Sequence, residues 1–146
     1  MHLDHAVLFV ADGDRSIAFY RDGLGLDLLV DREFTGPWTN LFGVESGRLR
    51  AMILGDADRP ELGQIELVTF AVPVPSGPPS APPVTSTVVL SFHVDLGAVL
   101  PRLEAAGGRD LRRSALANGA TLATIRDPDG ILVELLDVGP PKDPGT

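Results

Sequence analysis

Short runs in which apolar and polar side chains alternate recur along the whole chain, and glycine, proline or aspartate bounds most of them. Such alternation places every second side chain on one face of a β-strand. Residues 5–10, 26–33, 48–54 and 64–70 are read as four strands. Between the first two, Asp12-Gly13-Asp14 supplies a turn and a helix N-cap. Ile17, Ala18, Phe19 and Tyr20 then suit a short helix over residues 15–21, stopped at Asp22-Gly23-Leu24-Gly25. Residues 34–43 carry loop punctuation and the only tryptophan, Trp38, and residues 55–63 read as a polar hairpin connection. The order βαβββ then returns: a strand over residues 87–94, a helix over 96–106 ended by Gly107-Gly108, and strands over 110–114, 121–126 and 131–137. Between the halves, prolines remove backbone donors so often that neither helix nor sheet can run through, which gives a linker over residues 73–84. The expected fold is α+β in one domain, with βαβββ modules at residues 1–72 and 85–138 and a frayed tail at 139–146.

Two of these strands carry an acid where an aliphatic residue would suit better. In Ile131-Leu132-Val133-Glu134-Leu135-Leu136-Asp137, Glu134 shares a face with Leu132 and Leu136, and Gln64-Ile65-Glu66-Leu67-Val68-Thr69-Phe70 repeats the arrangement. An unpaired carboxylate on an apolar surface is costly, so a partner, a cation or a wet cavity is implied. One alternative is that Glu66 and Glu134 face solvent or pair with Arg48, Arg50 or Arg126. His5, in the first strand, is read either as a core histidine or as a site residue. Asp127-Pro128-Asp129-Gly130 reads as a structural turn without chemistry of its own.

Composition narrows the chemistry. The chain has 146 residues, 44% hydrophobic and 22% charged, which describes a folded globule. It has no cysteine, so disulfides, thiolate nucleophiles and thiolate metal sites are excluded, and any metal must be held by His, Asp or Glu. A net charge of -8 disfavours nucleic acid as a partner. Eleven of the twelve basic residues are arginine, and the one lysine, Lys142, lies in the tail, which disfavours Schiff-base chemistry. No apolar run reaches the roughly 18 residues of a membrane helix, and the start lacks the basic and apolar regions of a signal peptide. A cytoplasmic protein without a membrane partner is expected.

Three stretches together carry a family resemblance: His5-Ala6-Val7-Leu8-Phe9-Val10-Ala11-Asp12, Ser16-Ile17-Ala18-Phe19-Tyr20-Arg21-Asp22-Gly23-Leu24-Gly25-Leu26, and Asp127-Pro128-Asp129-Gly130 before Val133-Glu134-Leu135. With the duplicated βαβββ order, they make the chain resemble the vicinal oxygen chelate superfamily over residues 3 to 138. That superfamily includes glyoxalase I, methylmalonyl-CoA epimerase, extradiol dioxygenases and bleomycin-resistance proteins. The resemblance implies a cupped mixed sheet, half from each module, and a homodimer. It also implies metal-ligand positions at His5, Glu66, Val89 and Glu134. Val89 departs from the pattern, since a histidine is common there and valine cannot bind a metal. His93 shares its face, but four residues of strand span about 13 Å, too far to substitute at the same ion. Extradiol oxygenase chemistry, which needs that histidine, falls down the order.

Within this resemblance the metal candidates are His5, Glu66 and Glu134, for a divalent Zn, Ni, Mn, Co or Fe ion that is weakly bound or absent. The catalytic candidates are Glu66 and Glu134, moving a proton in glyoxalase- or epimerase-like lyase or isomerase chemistry on a small molecule, with or without the metal. Phe34, Trp38 and Phe42 either cap the core or line the cavity, and with Ser91 and His93 they form the substrate-binding candidates. The runner-up is a non-catalytic antibiotic- or metabolite-binding protein, in which Trp38 stacks on the ligand.

Overall fold

A computed structural model describes residues 1–76 and 82–137. The first module contains β1 (His5–Phe9), α1 (Gly13–Ile17), β2 (Asp27–Thr35), α2 (Trp38–Phe42), β3 (Arg48–Gly55) and β4 (Gln64–Phe70). The second contains β5 (Leu90–His93), α3 (Leu96–Ala105), β6 (Arg109–Ala115), β7 (Thr121–Arg126) and β8 (Leu132–Asp137). Each module forms its own four-stranded mixed sheet, ordered β1-β4-β3-β2 and β5-β8-β7-β6. The first strand of each module runs parallel to the last, and the other pairings are antiparallel. The expected α+β class with two βαβββ modules is the observed one.

The helices start where the sequence signals them. Asp12 and Asp95 are the N-caps, and their carboxylates accept from the backbone N–H of Arg15 and Ala98. After Ile17 the first helix widens into a π-helical segment, Ala18–Gly23, which periodicity does not announce. α3 closes with Gly107 at φ 94° and hydrogen bonds from Gly107 N to Glu104 O and from Gly108 N to Leu103 O. The left-handed glycine thus lets the last carbonyls find donors.

The two modules meet through these helices. α3 packs on the π-helical segment, and one hydrophobic core takes Phe19, Tyr20, Leu24, Met52, Leu54 and Leu67 from the first module with Leu100, Leu103, Ile125, Val133 and Leu135 from the second. Gly23 is small because the contact is close: a Cβ there would stand 2.9 Å from Leu103 Cδ2 and 3.2 Å from Leu103 Cα. The helix-facing side of each sheet is therefore the core side. The opposite face of each sheet lies on the far side from this shared core, and among the described residues the strands form two separate hydrogen-bonded sheets.

Two expectations need correction. Residues 34–43 are not all loop: β2 runs on to Thr35, and residues 38–42 make a helical turn ended by Gly43 at φ 68°. Burying Trp38 and Phe34 against Leu49, Ala51 and Val68 orders that segment. β5 begins at Leu90 rather than at residue 87, because residues 84–87 close into a turn through Thr87 N to Val84 O and Val84 N to Thr87 Oγ1, with Ser86 at φ 82°. The linker carries no helix or strand at 73–76 and 82–84; residues 77–81 and the tail at 139–146 lie outside the described residues.

Candidate functional site

Residues opposite one another in neighbouring strands share a face, so the register reads out the open face of each sheet. Across the first, Val7, Glu66, Ile53 and Val30 stand in one row. Across the second, Ser91, Glu134, Thr124 and Arg112 occupy the equivalent row. Glu66 and Glu134 thus hold matching places on sheets of matching topology. The surroundings differ: the first row is apolar around its acid and the second is polar throughout.

His5 lies diagonally across from Glu66 and reaches it. His5 Nε2 stands 2.8 Å from Glu66 Oε2, and His5 Nδ1 stands 2.6 Å from Asp4 Oδ2. Both side chains of the His5 and Glu66 pair are largely covered, at 27% and 19% exposure, so neither points to bulk solvent. Two carboxylates on the two ring nitrogens favour the imidazolium, in which both nitrogens donate. The hydrogen bond to Asp4 is the largest influence holding the His5 pKa above its ordinary value; burial opposes it and the charge of Glu66 assists it.

Glu134 accepts a 2.7 Å hydrogen bond from Ser91 Oγ on the second sheet. It does not join His5 and Glu66: among the described residues, no three His, Asp or Glu side chains are placed together to hold a metal ion. The expected set of His5, Glu66 and Glu134 is therefore divided in one chain, with two donors on one sheet and one on the other, because the helices rather than the sheet edges join the modules. Two donors fall short of the three or more protein ligands that hold such ions, so the residues of one chain do not fit a divalent metal. Val89 is exposed just before β5. His93 is exposed at the end of β5, opposite Leu136.

The arginines offered as alternative partners are engaged elsewhere. Arg50 holds Asp31 through two bonds of 2.7 Å and Asp14 through one of 2.8 Å, and the acid beside Arg48 is Glu33 at 4.0 Å. Arg126 Nη1 donates to the carbonyl of Gly130 at 2.7 Å.

Further along the open face of the first sheet stands an aromatic wall. Phe9 packs against Phe42 at 5.3 Å and stacks on Phe70 at 5.6 Å between ring centroids, and Trp38 stacks on Phe42 at 6.4 Å. Trp38 Nε1 donates to Phe34 O, while Arg32 lies 4.7 Å over the Phe34 ring. Phe34 and Trp38 thus cap a small second core, whereas Phe42 and Phe9 keep nearly half their surface exposed. Phe9 and Phe70 were not among the residues singled out from sequence. Their parity with His5 and Glu66 in their strands is the signal that finds them.

The Asp127-Pro128-Asp129-Gly130 turn ties the modules together. Asp127 is fully buried, accepting from Tyr20 Oη at 2.9 Å and from the backbone N–H of Asp129 and Ile131. Asp129 accepts from Ala11 N, Arg15 Nη2 and Ser16 Oγ of the first module. Burial is the main influence pushing the Asp127 carboxyl up, and burial with the neighbouring acid raises the Tyr20 phenol well above its ordinary value.

The duplicated topology agrees with the comparison to known proteins. Residues 2–135 match the sequence model of the Glyoxalase/Bleomycin resistance protein/Dioxygenase superfamily. The chain belongs to this superfamily. A relative within reach by sequence is the lactoylglutathione lyase-like protein terB of Aspergillus terreus, 37% identical over 144 residues, covering 90% of this chain and 73% of the relative. A glyoxalase family protein from Bacillus cereus superposes with a TM-score of 0.78 at 24% identity, over 94% of this chain and 93% of that one. The trypanothione-dependent glyoxalase I of Leishmania major superposes with a TM-score of 0.61 at 23% identity, over 94% and 86% of the two chains. Both structural likenesses establish the superfamily fold. No helix among the described residues is long and apolar enough to cross a membrane.

Proposed function

We propose that the chain is a glyoxalase- or epimerase-like lyase or isomerase that moves a proton on a small carbonyl substrate, with Glu66 as one acid/base and Glu134 as the other. The observation that carries this reading is the covered contact of His5 with Glu66 on an otherwise open sheet face. The Glu66 carboxylate, facing the imidazole of His5, can remove a proton from carbon beside a carbonyl. The imidazolium is then placed to stabilise the negative charge that develops on oxygen. Glu134, held by Ser91, supplies the second carboxyl: once it has taken a proton from solvent it delivers that proton to the other side of the enolate, while the proton removed stays on Glu66 until it is lost to water.

For both acids to act on one molecule, the two sheets must form one cup, and a second copy provides the means. β1 and β5 are edge strands, and apolar side chains beside them, Val7, Phe9 and Val89, are exposed. Edge-to-edge pairing of β1 with β5 of a second copy would cover these groups and bring Glu134 of that copy opposite His5 and Glu66. The same pairing would assemble a His-Glu-Glu set, so a divalent ion belongs to this reading only in the dimer.

The test is deuterium incorporation at the carbon beside the carbonyl in the hemithioacetal of methylglyoxal and a thiol, followed by NMR. Exchange is expected with the purified dimer and should fall by about a hundredfold or more in Glu66→Gln. Exchange that is equal in the variant, or a protein whose sedimentation mass is that of one chain, would overturn the proposal. The exposed aromatic wall favours one other reading, capture of an aromatic molecule without reaction. It predicts quenching of Trp38 fluorescence by a ligand that the protein leaves unchanged.

A further inference from the structure

We infer that the open face of the second sheet holds the acid group of an anionic substrate, a carboxylate, at Arg112 and Thr124 with Arg126 alongside. The inference rests on the proposed proton-transfer site, since it names the charge of the molecule that reaches Glu134. An open cavity of about 350 Å³ lies over this face, lined by Asp110, Arg112, Thr124, Arg126, Leu132 and the linker prolines 82 and 83. The register places Arg112 beside Thr124 and Thr124 beside Glu134, all on one face. With neighbouring strands about 4.8 Å apart, the backbone at Arg112 stands about 10 Å from that at Glu134. The arginine side chain spans part of that interval; Glu134 lies outside the cavity lining but directly beside Thr124, so a small molecule held at Arg112 can reach the acid/base by extending past Thr124.

Arg112 makes no ion pair or side-chain hydrogen bond among the described residues. Its guanidinium therefore offers the planar pair of donors that matches a carboxylate. Thr124, half-buried in the middle of the sheet, adds a hydroxyl donor in the same row. Asp110 also lines the cavity, at φ 55° in an irregularity where β6 shifts register, and its negative charge limits the site to a ligand of low charge. The chain as a whole carries a net charge of -8, which repels anions in general, so an arginine-lined cavity on this face is a local exception. Charged residues on an edge strand also discourage strand addition, but that role requires neither a cavity nor alignment with Glu134. The first sheet sets Val30 and Ile53 in the equivalent row, so the paired faces offer an apolar wall and a cationic one. The ligand class is an acid with an apolar body.

The test uses the full chain labelled with nitrogen-15 and two probes, phenylacetate and pyruvate, each titrated against its own amide. Both acids should shift the Arg112 and Thr124 amide signals and bind at least about tenfold more tightly than the amides. Arg112→Gln should abolish this preference, Arg112→Lys should keep part of it, and rising salt should weaken it. Equal affinity for acid and amide, no shift at these positions with either acid, or an unchanged preference in Arg112→Gln would overturn the inference. The proton-exchange assay separates this failure from that of the proposed function. Selective acid binding without any exchange sinks the proton-transfer reading alone. Exchange that runs equally on acids and amides and is unaltered by Arg112→Gln sinks this inference alone.

Discussion

Replacing Tyr20 by phenylalanine isolates one hydrogen bond at the contact between the modules. Tyr20 and Asp127 are both fully buried, and the phenol is the donor to Asp127 Oδ2 at 2.9 Å, while Oδ1 is served by two backbone N–H groups. The variant keeps the ring, and with it the edge contact to Phe19, but leaves one carboxylate oxygen buried without a donor. Stranding a buried acceptor costs about 1–3 kcal/mol, and the upper part of that range applies because the acceptor is charged. We expect Tyr20→Phe to destabilise the protein by about 2–3 kcal/mol near neutral pH.

The pH dependence follows from the direction of the Asp127 shift. Its folded-state pKa is raised above 3.8, chiefly by burial. A raised acid favours the folded state most when protonated, so its contribution is fully present below about 3.8 and is lost as pH rises through the folded value. Removing the phenol donor takes away a bond to the ionised form and raises the value further. The loss from Tyr20→Phe should therefore be smaller at pH 4 than at pH 7. Urea unfolding read by Trp38 fluorescence and by far-ultraviolet circular dichroism measures both, and coincident curves would show that the modules unfold together. A change below about 0.5 kcal/mol, or an equal change at the two pH values, would refute the reasoning.

Asp4→Asn should lower the midpoint of the His5 titration followed by NMR, because the Asp4 hydrogen bond is the largest influence raising it. Since the His5 value is raised, its stabilising contribution is complete below 6.5 and fades as pH rises through the folded value, and the variant should lose the part of that dependence that Asp4 supplies. Gly23→Ala should cost about 1–3 kcal/mol in urea unfolding, as its new Cβ meets Leu103, whereas Gly47→Ala, with nothing within 4 Å, should change little. Val89→His should fold with a loss under about 1 kcal/mol, because Val89 is exposed, and calorimetric titration with zinc should show tighter binding only where a dimer unites the sheets.

Strand identity was legible because alternation is a local property: residues 64–70 and 121–126 end where the sequence places them. The helical turn at residues 38–42 was not, since Trp38 is ordered by Leu49, Ala51 and Val68, distant in sequence. Glu66 and Glu134 stood out as acids in apolar strands, and their equivalent register is visible in the duplication. The His5 contact with Glu66 depends on a diagonal across two parallel strands, which no single stretch encodes. Nor could alternation say whether sheet edges or helices join the modules. That choice lies in which apolar faces find each other, and it decides that Glu134 stands apart from His5 within one chain.

The shared core between the helices also constrains the order of events at the ribosome. Phe19 and Tyr20 are sealed in part by Leu103, and Tyr20 by Asp127, all of which are made after the whole first module has been translated. The amino-terminal half therefore leaves the exit tunnel with an apolar helix uncovered, a state that invites association with other chains. Its sheet can pair early, but its core closes only when the second half arrives. The repeat is visible in the sequence, while the core that covers its helices is drawn from both halves.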